Sequence, residues 1–455
     1  MPRTTKKNVV ITYGTYDMLH VGHLNLLRRA KELGDYLIVG VTSEDYDRSR
    51  GKLNVHQSTE QRVEAIKKLS FVDEVIVEKH KFQKESDAVK YNVDIFAIGD
   101  DWVGKFDYLK PYCKVVYIPR TEGISSTQLR AKKLHTINVG IVGTGRIAHR
   151  FASEAKHVSS LELTAVMSRN LTHVEEFINK HDILYGFQDF SELLTGSNVD
   201  AVYIATPHET HFKYAKQALL AGKHVLCEKP ISLEPNQLKE LIDIALAKKL
   251  VLLEAVKTAF FPGFEKLLSE IKKGKIGDVI EVRASFSKLI SDKNQREWSS
   301  AHGGAVTELA TYPLLLAQKI LGESKCRSFH SVIENDVDGY TTIIQEYDRG
   351  LSLSSVGIGA KTEGSAIIAG TKGYIYVPAP WWLTKEYFIR YENASMEKRY
   401  QFELDGDGLR YEISEFVTLI QRKKLESQKL SHSEMLAINK IFYEHRAYML
   451  SKKNE

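Results

Sequence analysis

The run RTEGISSTQLRAKKLHTINVGIVGTGRIAH, residues 120–149, constrains this chain more than any other stretch, because two phosphate-handling patterns meet in it. Residues 120–127 read as a basic, hydroxyl-rich loop leading into a predicted helix. Residues 137–145 form a short apolar strand that runs into a glycine turn. The connector between them, 130–136, is polar, carries two lysines and has no core-like pattern. The run reads as the seam of two enzymes in one polypeptide. A length of 455 residues agrees, being too great for one ordinary domain and suited to two to four.

Composition narrows the class. Apolar residues at 43% and charged residues at 27% are those of a soluble globular protein. A net charge of +5 is small for this length; it suits anionic metabolites and gives no sign of a nucleic-acid scaffold. Cys113, Cys227 and Cys326 lie far apart without CxxC spacing, so neither a metal site nor a disulfide framework is expected, and a reducing compartment is. The basic start lacks the apolar core of a signal peptide and no apolar run is long enough to span a bilayer. The expectation is a cytoplasmic protein with no membrane partner.

In residues 1–133, strand and helix patterns alternate. Strands are predicted at 9–13, 36–42, 74–77, 95–98 and 114–118, and helices from 17–23 through 33, at 58–69 and near 87–91. Such alternation implies a parallel sheet with ligands at the carboxyl ends of its strands. His20 and His23 stand three apart at a helix start, so both can face one ligand, and free N–H groups there suit a phosphate. Gly22 leaves room for a nucleotide to approach.

Three strings occur in order: GTYDMLHVGH (14–23), GDDWVGKF (99–106) and RTEGISST (120–127). Together they resemble the cytidylyltransferase family, the glycerol-3-phosphate cytidylyltransferases above all, over residues 8–130. The resemblance implies that CTP, with Mg²⁺, and a phosphorylated alcohol give a CDP-alcohol and pyrophosphate. It implies roles by motif position. His20 and His23 would bind phosphates and stabilise the transition state; Gly14, Thr15 and Asp17 would line the nucleotide site; Asp101 and Trp102 would hold the cytidine end. Arg120, Thr121, Ser125 and Ser126 would grip phosphate oxygens, and Lys52, in the basic loop 47–54, would close over the triphosphate. Two departures touch the acceptor side: Ser70 stands where an arginine is expected before FVDEV, and one residue is inserted between the basic loop and Arg62. They admit a larger or differently shaped polyol phosphate than glycerol 3-phosphate.

The second segment opens with a predicted strand at 137–142 followed by Gly143-Thr144-Gly145-Arg146-Ile147-Ala148, the G-x-G-x-x-A form of the dinucleotide turn in its required strand–turn–helix context. Gly143, Gly145, Arg146 and Ile147 are the candidate cofactor contacts there. The next strand, 162–167, ends at Ser168-Arg169, where an NAD enzyme tends to carry Asp or Glu. A hydroxyl and a cation fit a 2′-phosphate, so NADP(H) is favoured over NAD(H).

The string AVYIATPHETHFKYAKQALLAGKHVLCEKPISL (201–233) and GGAVTELATYPL (303–314) complete a second resemblance, to the glucose–fructose oxidoreductase/inositol dehydrogenase (Gfo/Idh/MocA) family, over most of residues 137–455. It implies that Thr206, Pro207, His211 and Glu228 lie at the cofactor and that Lys229 stands between nicotinamide and substrate, giving a proton to the carbonyl oxygen as hydride reaches carbon, or the reverse. Tyr312 would assist that transfer and Glu308 would bind a substrate hydroxyl; the two lie four apart on a helix, hence on one face. Lys257 is a weaker candidate for substrate phosphate or hydroxyls. Helices are predicted at 264–273, 410–421 and 432–450, and strands near 280–286, 325–333, 341–347, 351–355, 365–369 and 373–377, giving a mostly antiparallel sheet whose open face is the expected dimer surface.

The expected organisation is α/β: a nucleotidylyltransferase Rossmann-like domain (1–133), a Rossmann NAD(P)-binding domain (137–258) and an α+β substrate and dimerisation domain (259–455). The expected activity is bifunctional: reduction of a ketose or aldose phosphate to a polyol phosphate, and its coupling to CTP to give a CDP-polyol for surface polysaccharide synthesis, by a homodimer or higher homo-oligomer. Cytidylylation before reduction is left open. The alternatives are a glycerol-3-phosphate cytidylyltransferase fused to an oxidoreductase of a separate step, and a chain in which one half is a non-catalytic binding or assembly module.

Overall fold

The computed structural model describes residues 7–19, 21–49, 55, 57–80, 82–119, 136–404 and 406–453, the side chains of Val21, Arg48, Ser49 and Asp101 excepted. The chain divides into two compact units, Met1–His135 and Thr136–Glu455.

The first unit is a five-stranded sheet of β1 (Val9–Gly14), β2 (Tyr36–Thr42), β3 (Glu74–Glu78), β4 (Ile95–Gly99) and β5 (Lys114–Ile118), in the order β3-β2-β1-β4-β5. Every pairing is parallel. These segments are apolar on both sides because helices cover both faces. Val10, Leu37, Val39 and Val41 meet Leu27, Ala30 and Ile66 on one face; Ile11, Ile38, Phe96 and Ile98 meet Ala88 on the other. Each of the larger of these side chains contributes about 1.5–3 kcal/mol by leaving water. The strand order reverses between β1 and β4, which opens a crevice at their carboxyl ends.

Two local readings differ from expectation. The first helix begins at Val21, so Asp17 belongs to the preceding loop. The start of the basic loop is instead a short helix, Glu44–Ser49, and Asp47 within it is fully buried because Arg62 lies beneath it.

The second unit holds two sheets. A parallel one runs β11-β10-β9-β6-β7-β8, from β6 (Ile137–Val142), β7 (Leu161–Met167), β8 (Tyr185–Phe187), β9 (Ala201–Ile204), β10 (His224–Glu228) and β11 (Leu252–Ala255). The other has eight strands in the order β13-β14-β15-β12-β16-β17-β18-β19. Its members are β12 (Val279–Ser287), β13 (Cys326–Glu334), β14 (Val337–Tyr347), β15 (Gly350–Gly357), β16 (Ala366–Gly370), β17 (Tyr374–Val377), β18 (Glu386–Arg390) and β19 (Lys398–Gln401). Among the described residues the β12–β15 pair is parallel and the other pairings of this sheet are antiparallel. Strands β8, β18 and β19 were not expected. The last two are charged, and their sequences hide a ladder in which Arg399 donates to Glu386 at 2.7 Å across the strands.

The closing helices Leu409–Gln421 and His432–Lys453 return to the parallel sheet. Arg410 makes a bidentate pair with Glu154 of helix Arg146–Ala155, with both N–O distances 2.9 Å. Asn439 Nδ2 donates to Ser232 O at 2.5 Å. No helix of the described residues is long and apolar enough to cross a membrane.

Candidate active sites

In the first unit the candidate site is the crevice where β1 and β4 end. The chain leaves β1 through a loop in which Tyr16 and Met18 take left-handed backbone angles, φ 51° and 50°. Gly14 lies under Tyr16; a Cβ there would come within 2.8 Å of the ring. His23, in the first turn of helix Val21–Lys31, meets the Tyr16 ring edge-on at 5.5 Å between centroids. After β4 the turn Asp100–Trp102 brings Trp102 to 5.7 Å from Phe106, with the Lys105 amine 5.0 Å above its ring.

Arg62 shapes this loop system from below. It is fully buried, and its guanidinium donates to Thr15 O at 2.7 Å, Thr42 O at 2.8 Å and Gln57 O at 3.1 Å, and pairs with the buried Asp47 at 3.3 Å. One planar fork thus ties the loops after β1 and β2 to the entry of helix Thr59–Lys67. Thr15 Oγ1 donates to Asp47 at 2.8 Å, and Asp17 accepts from Gln57 N at 3.0 Å while Met18 N donates back to Gln57 Oε1 at 2.7 Å. Thr15 and Asp17, at 7% and 1% exposure, are therefore held in the wall of the crevice. His20, Lys52, Arg120, Thr121, Ser125, Ser126 and the Asp101 side chain lie outside the described residues.

In the second unit the order of the parallel sheet reverses between β6 and β9. Gly143 leaves β6 at φ 104°, and a Cβ there would sit 2.7 Å from Ala205 O, so only glycine lets the two strand ends approach. Gly145 precedes helix Arg146–Ala155 directly, which directs free N–H groups into the crevice, a cradle suited to a pyrophosphate. Ala148 is fully buried. Ser168 and the exposed Arg169 follow β7, and Gly143 N donates to Met167 O at 2.8 Å, so the basic strand tip and the glycine turn are neighbours.

A cavity of about 370 Å³ opens at the same strand ends, lined among others by Arg146, Ile147, Thr206, His211, Glu228, Lys229, Glu308 and Tyr312. It gathers residues of both sheets. Lys229, just beyond β10, donates to Glu308 O at 2.7 Å. Tyr312 packs on Phe286 at 5.2 Å, and Phe286 stacks on Trp382 at 3.8 Å, which makes an aromatic wall. Burial first, then the nearby carboxyls Glu228 and Glu412, pushes the Tyr312 hydroxyl well above its usual range, so it stays protonated. Thr206 Oγ1 accepts from Thr210 at 2.7 Å, and Pro207 begins the following turn.

Two assigned side chains have more specific surroundings than their sequence suggests. His211 is 1% exposed and its ring nitrogens lie 2.8 Å from Pro230 O and 2.8 Å from Thr206 O. It holds the carbonyl that follows Lys229-Pro230, and burial lowers its pKa to about 4. The Glu308 carboxylate is held by Arg296 at 3.1 Å and lies 3.9 Å from His208. His208 in turn reaches His302 O at 2.5 Å and Arg296 at 3.0 Å; burial, then the Arg296 charge, lowers its pKa to about 4. His208, Arg296, Phe286, Trp382 and Glu412 carried no signal in the sequence, being single residues from five separate segments. Lys257 also lines the cavity and donates to Asp407 O at 3.2 Å.

Residues 11–132 match the family model described as cytidylyltransferase-like, residues 137–255 that of an oxidoreductase family with an NAD-binding Rossmann fold, and residues 264–376 that of the GFO/IDH/MocA C-terminal domain. The first unit is 53% identical over 121 residues to a glycerol-3-phosphate cytidylyltransferase of Bacillus spizizenii, covering 27% of this chain and 93% of that protein. The second is 32% identical over 328 residues to a scyllo-inositol 2-dehydrogenase (NADP(+)) of Bacillus subtilis, covering 69% of this chain and 97% of that one. Among solved structures it resembles a 3-ketoreductase from Actinomadura kijaniata in complex with NADP and TDP-benzene, with a TM-score of 0.61 at 21% identity, covering 68% of this chain and 96% of that chain.

Proposed function

The chain belongs to the cytidylyltransferase-like family in its first unit and to the GFO/IDH/MocA oxidoreductase family in its second, and on that premise we propose that it makes a CDP-polyol from a sugar phosphate in two steps. It is a bifunctional enzyme. The second unit would reduce a ketose or aldose phosphate, and the first would join the resulting polyol phosphate to CMP.

A bound NADPH would supply the hydride. Lys229 would hand a proton to the carbonyl oxygen, with Tyr312, kept protonated, beside it. Glu308, fixed by Arg296, would orient a substrate hydroxyl. Six cationic side chains against four acidic ones line the cavity, which favours a phosphorylated substrate. Ser168-Arg169 favours NADP(H), in keeping with the NADP(+) in the name of the scyllo-inositol relative. In the first unit the polyol phosphate oxygen would attack the α-phosphorus of CTP in line; one P–O bond forms and the bond to pyrophosphate breaks. That step needs positioning and charge neutralisation, the tasks proposed for His20, His23, Lys52 and Arg120. Mg²⁺ would arrive on the triphosphate. The open face of the eight-stranded sheet would join two copies, and the product would feed a surface polymer from the cytoplasm.

The reading rests on one observation: a switch-point crevice at each of two parallel sheets in a single chain, the second with Lys229 lining a cation-rich cavity. Its test is mass spectrometry of products after incubation with CTP, Mg²⁺, NADPH and a panel of pentose and hexose phosphates. A CDP-polyol that needs both nucleotides supports it. CDP-glycerol from glycerol 3-phosphate alone, with no sugar phosphate reduced, would refute it.

A further inference from the structure

Glu412 stands in the first turn of helix Leu409–Gln421, yet it lines the cavity at the ends of β10 and β11. It is 1% exposed, and its Oε2 has no hydrogen-bond partner among the described residues. A buried carboxyl oxygen left in that condition costs stability unless something bound completes it. Its placement is not loose. The neighbouring Arg410 is locked onto Glu154, and Arg410 N also donates to Glu154 at 3.4 Å, so the start of this helix is fixed to helix Arg146–Ala155 behind the dinucleotide turn.

The surroundings narrow what would complete it. Glu228 lines the same cavity and already accepts from Tyr203 OH at 2.6 Å. Lys257 is the nearby cation. Lys229 stands beside Glu228 as well, and Arg150 is paired with Asp407, so two ammoniums already balance the two carboxyls and this end of the cavity has no surplus positive charge to draw an anionic group. No group of three or more metal-ligating side chains occurs among the described residues. Burial first, and then Glu228, raises the Glu412 pKa well above the usual carboxyl range, which marks a site that gains from a hydrogen-bonding neutral partner. Neutral hydroxyls satisfy a carboxyl in either protonation state, since they both donate and accept.

We propose that Glu412 is a ligand-binding residue of the hydride-transfer cavity, holding through Oε2 a hydroxyl of the bound molecule. The inference rests on reading this cavity as the site of hydride transfer. Two sources present such a hydroxyl: the nicotinamide ribose and the sugar being reduced.

The test compares the whole chain with Glu412→Gln and Glu412→Leu. Melting of the ligand-free protein is followed, NADPH affinity is read by fluorescence titration, and kcat/KM for NADPH oxidation is taken with D-ribulose 5-phosphate and D-fructose 6-phosphate as probes. The Leu variant melts at or above the wild-type temperature, because it removes an incompletely bonded buried group. If the ribose is the partner, the NADPH Kd rises roughly five- to hundredfold, the cost of leaving a buried hydroxyl without its partner. If the sugar is the partner, the Kd holds and kcat/KM falls by that factor. Folded variants with both quantities unaltered overturn the proposal, as does a lowered melting temperature with unaltered binding. Should the wild type reduce neither probe, the substrate reading fails separately, and the NADPH titration alone decides on Glu412, an unaltered Kd overturning it.

Discussion

Replacing Arg62 by Met should unfasten the first unit. Arg62 is fully buried, and its guanidinium serves Thr15 O, Thr42 O, Gln57 O and the buried Asp47. Methionine fills much of the volume and provides no donor. Removing one partner of a buried ion pair costs about 3–5 kcal/mol, because the other charge is still buried. Carbonyls that lose their donor add to this, though not additively. Against a typical domain stability of about 5–15 kcal/mol, that is a large share. Since a chain with two compact units need not unfold in one step, the assay should read the units separately. Hydrogen exchange of peptides covering Val9–Gly14 and Tyr36–Thr42 does so, with Ile137–Val142 as the internal reference. At 1.4 kcal/mol per decade, protection in the first two peptides should fall by about two to three orders of magnitude. Arg62→Lys should recover only part, since a point charge cannot reach acceptors on several loops at once. A fall of less than tenfold in Arg62→Met, or an equal fall in the reference peptide, would refute the reasoning.

Three further outcomes are expected. Lys229→Ala should slow NADPH oxidation by at least about 100-fold, the usual worth of a general acid, and an undiminished steady-state rate would remove Lys229 from that role. Arg169→Asp should shift the ratio of NADPH to NADH use toward NADH by tenfold or more, by exchanging a cation for a ribose-hydroxyl acceptor; paired kcat/KM values check it. His211 has its folded pKa lowered from 6.5 to about 4 by burial, so between those values the unfolded chain binds a proton that the folded one does not. Its contribution, at most roughly 3 kcal/mol, is present above pH 6.5 and lost as pH falls toward 4, which urea unfolding at pH 7 and pH 5 should register and His211→Gln should flatten.

The strands were legible because each is a local pattern: β2, β5 and β6 fall on the expected residues, and Gly143 announces its turn by occurring between an apolar run and a helix. Helix starts were less so. The loop after β1 carries polar residues that read equally well as a first helical turn, until Tyr16 and Met18 take left-handed angles. Strand β19 was hidden because an edge strand of Lys-Arg-Tyr-Gln, laced to its neighbour by an Arg–Glu pair, has the composition of a solvated loop, whereas β18, Glu-Tyr-Phe-Ile-Arg, carries the alternation of a half-buried strand that was passed over. Arg62 was hidden for a related reason. A charged residue in a polar helix reads as surface, and its burial follows only once three loops converge on it.

The same contrast separates the two halves of the second site. The residues proposed for its cofactor side, Gly143, Ser168-Arg169, Thr206 and Glu228-Lys229, lie at strand ends, so each comes with a local motif that the sheet topology then aligns. The rest of the cavity wall, Phe286, Arg296, Glu308, Tyr312, Trp382 and Glu412, comes from a strand end, short turns and helix starts. Phe286, Arg296, Trp382 and Glu412 follow no repeated spacing, and Glu308 and Tyr312, expected on one helix, fall on two, Ala305–Leu309 and Thr311–Leu321, so substitutions at these positions can change shape and charge while the dinucleotide turn is untouched. The proposed cofactor class follows from the order of the residues, whereas the shape of the cavity follows from where separate segments happen to meet. Substrate specificity in such a chain should therefore respond to changes at Arg296, Trp382 and Glu412 that leave the motifs around Gly143 and Lys229 intact.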